Sequence, residues 1–156
     1  MPPDGRHRYA IRVYYEDTDA GGVVYHANYL RYAERARTEA LRAVGIPHAE
    51  MVERFGVMFM VRRAELDYLR PARLDDSLVV ETEVLALGGA TASLRQAVYG
   101  PDGLCADITV RLACVRIGAG DHAGACAGIG GNRPGRIPPR WRETLAAMRD
   151  AAGHTT

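Results

Sequence analysis

Between Tyr14 and Tyr29 the sequence reads YYEDTDAGGVVYHANY, with three acids, two adjacent glycines, one histidine and four tyrosines. A turn needs a few polar residues, not this many. Asp19 stands seven residues before His26, close enough for both to border one pocket. If a helix starts near His26, its first N–H groups lack partners and its dipole favours negative charge. Such a point can bind an anion or polarise a carbonyl oxygen. Gly21 and Gly22 admit a ligand close to the backbone. A carboxylate beside a carbonyl-polarising helix end has the parts of a hydrolytic site. The competing reading is an Asx-type turn, in which Asp17 or Asp19 bonds the backbone and His26 caps the helix or faces water.

The flanking elements must position these groups. Residues 7–15, HRYAIRVYY, read as a strand. From about His26 to Val44 the period turns helical. Tyr29, Ala33, Ala36 and Ala40 share a face, widened by Leu30, Leu41 and Val44. Arg31, Glu34, Arg35, Glu39 and Arg42 lie opposite, with Arg35 and Glu39 at i, i+4. Asn28 is the expected cap, and Gly45 with Pro47 stops the helix. A short helix is expected over 48–55, then strands over 57–69, 78–87, 90–99 and 104–117. The short links 88–89 and 100–103 imply antiparallel hairpins. In the last strand Leu104, Ala106, Ile108, Val110, Leu112 and Cys114 line one face. Val57 to Val61 is apolar on both faces, which points to a subunit interface or a ligand channel.

One helix against an antiparallel sheet is α+β. Residues 1–117 form that domain; 118–135 read as a glycine-rich linker and 136–156 as a tail whose amphipathic helix, with Trp141, Leu145 and Met148, docks back on the domain. GAGDHAG in the linker lacks the glycine spacing of a dinucleotide fingerprint.

Composition narrows the class. The chain has 156 residues, 47% of them apolar, and a net charge of +1 carried on arginine without lysine. Nothing here calls for nucleic acid, and no apolar run would span a bilayer. The N-terminus has no secretory core, so a cytoplasmic protein is expected. Cys105, Cys114 and Cys126 show no CxxC spacing and read as small buried residues, with no metal expected.

The stretch YYEDTDAGGVVYHANY closely resembles the active-site signature of hotdog-fold acyl-CoA thioesterases of the 4-hydroxybenzoyl-CoA thioesterase family, in particular the YbgC-type members associated with the Tol–Pal envelope system. The resemblance runs over about residues 8–117, through YAERARTEALR, VRR and YLRPARLDD. It implies a hotdog fold, an antiparallel sheet wrapped around one long central helix. It implies hydrolysis of acyl-CoA to acid and coenzyme A, with no cofactor beyond the coenzyme A of the substrate. Asp19 takes the place of the catalytic carboxylate, as nucleophile or general base. The His26 backbone N–H takes the place of the carbonyl polariser, and Tyr15 that of an assisting tyrosine. Substrate is placed against Gly22, Val23 and Tyr25 in the loop and against Phe59, Val61, Arg62 and Arg63 on the strand. Glu16 and Asp17 are expected to crowd Asp19 and strengthen it as a base. The RxDD turn (Arg73, Asp75, Asp76) is expected to be structural. A homodimer or homotetramer is implied, at the periphery of the inner membrane if anywhere near a bilayer, with an acyl-carrier protein or lipid-synthesis enzymes as further partners. The alternative is a non-catalytic acyl-binding or scaffold module of the same machinery.

Overall fold

The structure, a computed structural model, describes residues 1–117 and 133–155. Residues 118–132 of the expected linker, with Cys126, lie outside them. The chain runs β1 (His7–Arg12), a 3₁₀ turn (Tyr15–Asp17), α1 (Asn28–Ala43), α2 (His48–Phe55), β2 (Val57–Tyr68), β3 (Ser77–Leu87), β4 (Thr91–Gly100), β5 (Gly103–Arg116) and α3 (Pro139–Ala151). The strands form one five-stranded antiparallel sheet in the order β1-β3-β4-β5-β2. β2 pairs with β5 on one side only, so its other edge is open, and the register slips between Val61 and Arg63.

Inward side chains follow the alternation read from the sequence. Ala106, Ile108, Val110, Leu112 and Cys114 are buried, and Thr109 and Arg111 are exposed. The small face of α1 lets helix and sheet approach closely, and Tyr29, Ala33, Ala36 and Ala40 are all buried. Leu30 departs from expectation. One position round from Tyr29, it is 40% exposed, so the apolar stripe is narrower than its composition suggests. Glu39 pairs with Arg42 rather than with Arg35.

Two boundaries differ from the sequence reading. β1 ends at Arg12, and the next residues enter the 3₁₀ turn. α1 begins at Asn28, because Tyr25 to Asn28 are spent on a turn closed by the Asn28 N–H on the Tyr25 carbonyl (2.8 Å). Asn28 therefore does not cap the helix; Ala27 occupies that place without a side-chain bond.

After Arg133 the chain lies along β5. The Arg116 N–H donates to the Arg133 carbonyl, and the Gly135 N–H to that of Cys114. α3 opens on Pro139, as the fixed φ of proline allows. Its Trp141, Leu145 and Met148 join the same core as α1 and the sheet. Gly5 lets the N-terminal segment meet this helix: a Cβ there would stand 2.3 Å from the Met148 carbonyl oxygen. Cys105 and Cys114 are buried and unpaired. Among the described residues no helix is long and apolar enough to cross a membrane, and no group of acids, histidines and cysteines could hold a metal ion.

Candidate active site

The polar loop is a small hairpin. Thr18 bridges Val24, the Asp19 N–H donates to the Val23 carbonyl (2.9 Å), and the Gly22 N–H donates to the Asp19 carbonyl (3.0 Å). Gly22 sits at φ +76, a conformation that glycine adopts without penalty. The Asp19 carboxylate accepts the Gly21 N–H on Oδ1 (2.8 Å). Its Oδ2 has no partner among the described residues, and the side chain is exposed. The Asx turn and the reactive carboxylate are therefore compatible: one oxygen fixes the loop and the other faces outward.

Asp17 does a different job from the one expected. Its carboxylate accepts the Tyr14 N–H (2.9 Å) and closes the 3₁₀ turn. Its carbonyl accepts both the Tyr25 N–H (2.9 Å) and the Asn28 side-chain amide (2.8 Å). Asp17 is thus the anchor that ties the loop to the start of α1, not an acid turned on Asp19. Its carboxylate neighbours the buried Tyr32, whose hydroxyl makes no hydrogen bond of full geometry among the described residues and meets the Asp17 carboxylate only in a weaker contact. Burial first, and then the Asp17 charge, push the Tyr32 phenol well above its ordinary range.

A second set of bonds holds the loop to the turn after β2. The Val24 N–H donates to the Ala72 carbonyl (2.8 Å), the Ala72 N–H donates to the buried Tyr29 hydroxyl (3.1 Å), and Val23 bridges Arg73. The Arg73–Asp76 turn is closed by the Asp76 carboxylate on the Arg73 N–H (2.9 Å), with Asp75 at φ +70. That arrangement is structural.

His26 lies between this loop and α1. Its ring is exposed and packs on Tyr25 (4.4 Å between centroids) and edge-on to Tyr68 (6.5 Å). The Tyr68 hydroxyl donates to the His26 carbonyl (3.1 Å), which fixes that peptide. The His26 N–H meets no acceptor among the described residues.

Of the remaining candidates, Tyr15 is 82% exposed and Tyr25 is exposed beside His26. Phe59 is part-buried and stacks on His48 (6.2 Å), and Val61 is exposed near the open edge of β2. Arg62 and Arg63 are exposed, and Arg63 pairs with Glu65 (2.7 Å). Within one chain, then, Asp19, His26, Gly22, Val23 and Tyr25 gather at the loop, while Phe59 to Arg63 lie toward the other end of β2. The sequence reading missed Tyr68 and gave Asn28 the wrong task. Both act through partners distant in sequence, which no local pattern reveals.

Comparison with known proteins agrees with this architecture. The model of a family described as the thioesterase superfamily matches residues 21–106. The chain belongs to the thioesterase superfamily. Its enzyme class is thioester hydrolase, and its fold is the hotdog fold. It is 45% identical over 115 residues to the acyl-CoA thioesterase YbgC of Haemophilus influenzae, covering 74% of this chain and 85% of that one. The acyl-CoA thioester hydrolase YbgC of Escherichia coli O157:H7 is 46% identical over 110 residues, covering 69% and 81%. Among solved structures, a probable thioesterase from Bartonella henselae superposes with a TM-score of 0.72 at 31% identity, over 85% of this chain and 99% of that one. A 4-hydroxybenzoyl CoA thioesterase mutant complexed with 4-hydroxybenzoyl CoA gives 0.76 at 18% identity, over 90% and 98%, a likeness of fold alone. The superfamily match takes in His26, Tyr68 and the turn after β2, and begins two residues past Asp19.

Proposed function

We propose that this chain hydrolyses acyl-coenzyme A to a free acid and coenzyme A, with Asp19 as the reacting carboxylate. The observation that carries the reading is the exposed Asp19 carboxylate on a hairpin that its own Oδ1 locks, close in the chain to the His26 N–H; Oδ2 and that N–H have no partner among the described residues. The names of the YbgC relatives support acyl-CoA as the substrate class.

The thioester oxygen would accept the His26 N–H. One such donor is typically worth about 10²–10³ in rate, because it meets charge that develops only in the transition state. Asp19 then either adds to the carbonyl carbon itself or takes the proton from the water that adds. In both cases the C–S bond breaks, the sulfur of coenzyme A leaves and takes up a proton, and water supplies the oxygen of the acid. Tyr15, exposed beside the loop, is the assisting hydroxyl. Tyr68 is a positioning residue, since it acts on the His26 peptide.

The open edge of β2 fits a second copy of the chain. Two identical strands related by a two-fold axis pair antiparallel, and the apolar Val57–Val61 half would be covered. Arg62 and Arg63 would then lie along the substrate path, where arginine suits the phosphates of coenzyme A.

The test is thiol release from a panel of acyl-coenzyme A substrates, short, long and aromatic. Turnover of at least one is expected. Absence of turnover across the panel, by a folded protein, would leave only a binding or scaffold role.

A further inference from the structure

A cavity of about 300 Å³ opens between α1 and the sheet, walled by Glu34, Arg37, Thr38, Leu41, His48, Phe59, Val61 and Leu112. That volume lies at the small end of the range for small-molecule sites. A narrower apolar pocket of about 30 Å³ adjoins it, sharing Arg37, Leu41, Phe59 and Leu112, with Leu145 and Met148 of α3 in its wall.

Leu41, Phe59, Val61 and Leu112 make the apolar half of this wall; the polar half holds two basic groups, Arg37 and His48, and one acid, Glu34. Arg37 is part-buried, and among the described residues its guanidinium reaches only the Gln96 side-chain oxygen, at 3.3 Å. Gln96 is fully buried and spends its amide on the Ala33 carbonyl (2.8 Å) and the Thr82 hydroxyl (3.0 Å). No carboxylate lies within ion-pair distance of Arg37 among the described residues; the exposed Glu34 acts on it only through space. Guanidinium offers five N–H donors, so most of Arg37's capacity is unspent.

His48 accepts the Phe59 N–H on Nε2 (3.0 Å), which leaves Nδ1 as the donor of the neutral ring. A part-buried cation without a paired carboxylate is costly, and an incoming anion offsets that cost. Burial weakens the hold of both groups on their protons, and Arg37 adds to the effect on His48.

We propose that this cavity receives the far end of the substrate acyl group, and that Arg37 binds a carboxylate there, so that the enzyme prefers acyl-coenzyme A carrying a terminal carboxylate over plain aliphatic acyl groups of equal length. The inference rests on the thioesterase reading above and names the substrate class for that site. Phe59 stands at once on the cavity wall and on the strand assigned to substrate. In a two-fold pairing about the middle of β2, Tyr68 of one copy, which holds the His26 peptide, comes opposite the Val57–Val61 half of the other. The cavity of one subunit then faces the loop of its neighbour.

The experiment compares kcat/KM for hexanoyl- and adipoyl-coenzyme A, equal in carbon count, using the full chain. Adipoyl is expected to be favoured by at least about tenfold, as a site built to bond a polar group rejects the analogue that lacks it. Arg37→Met should erase the preference by lowering the adipoyl rate alone, and Arg37→Lys should restore part of it. Equal rates in the wild type, or an Arg37→Met loss shared by both substrates, would overturn the proposal. If Arg37→Met does not fold, product inhibition of the wild type decides: adipate must inhibit at lower concentration than hexanoate. Thiol release without a carboxylate preference removes this inference only, whereas no release from any acyl-coenzyme A removes the thioesterase reading with it.

Discussion

Tyr29→Phe and Tyr32→Phe delete the same atom from two buried rings one helical turn apart, yet they should move stability differently. The rings are 3% and 1% exposed and meet edge-on at 6.2 Å, so neither change opens a cavity of consequence. The Tyr29 hydroxyl accepts the Ala72 N–H at 3.1 Å, and Ala72 is 1% exposed. Its loss leaves a buried donor unpaired, which costs roughly 1–3 kcal/mol. For a domain of this size that lowers Tm by about 2–4 °C per kcal/mol. Among the described residues the Tyr32 hydroxyl makes no hydrogen bond of full geometry, only a weaker contact with the Asp17 carboxylate, so its removal should cost less than the loss at Tyr29. Equilibrium urea denaturation with unchanged slope reads both effects. Equal losses, or a greater loss for Tyr32→Phe, would refute the reasoning. Burial raises both phenols, that of Tyr32 further, so alkaline pH weighs on Tyr32 more than on Tyr29. An unfolded tyrosine ionises near pH 10.0, whereas burial keeps Tyr32 protonated above that. The folded state then binds more protons than the unfolded, so stability is full below pH 10 and falls as pH rises beyond it. Tyr32→Phe should flatten that fall.

Three further outcomes follow from single contacts. Gly5→Ala drives a Cβ into the Met148 carbonyl at 2.3 Å and should loosen α3, seen as a lower Tm and faster proteolysis of the tail in the variant than in the wild type. Burial, and next the Arg37 charge, hold His48 below its usual 6.5, so its contribution is present above pH 6.5 and lost as pH falls. The drop in urea midpoint from pH 7 to pH 5 should therefore be smaller in His48→Gln than in the wild type. Tyr15→Phe should lower kcat with stability unchanged within about 0.5 kcal/mol, because the ring is 82% exposed; unchanged kcat would remove Tyr15 from the site.

Much of the fold was legible because it is periodic. The alternation of β5 and the alanine face of α1 are properties of neighbouring residues, and burial follows them. The helix start was not legible. Asn28 looks like a cap by type, but its amide is taken by the Asp17 carbonyl eleven residues back. The three acids of the loop look equivalent in sequence. Only the 3₁₀ turn, which commits the Asp17 carboxylate to the Tyr14 N–H, separates an anchor from an outward-facing acid. Arg37 hid for the opposite reason. An arginine on an amphipathic helix reads as solvated, and the cavity beside it is made by β2, β5 and α2, which lie elsewhere in the chain.

The central claim is that Asp19 performs the chemistry rather than merely shaping its loop. Asp19→Asn keeps an oxygen to accept the Gly21 N–H, so the hairpin should survive and substrate should still bind. Single-turnover thiol release from the best acyl-coenzyme A, with binding measured on the same sample, tests this directly. Release should fall at least about a hundredfold while affinity holds; near-normal release from the folded variant would contradict the account.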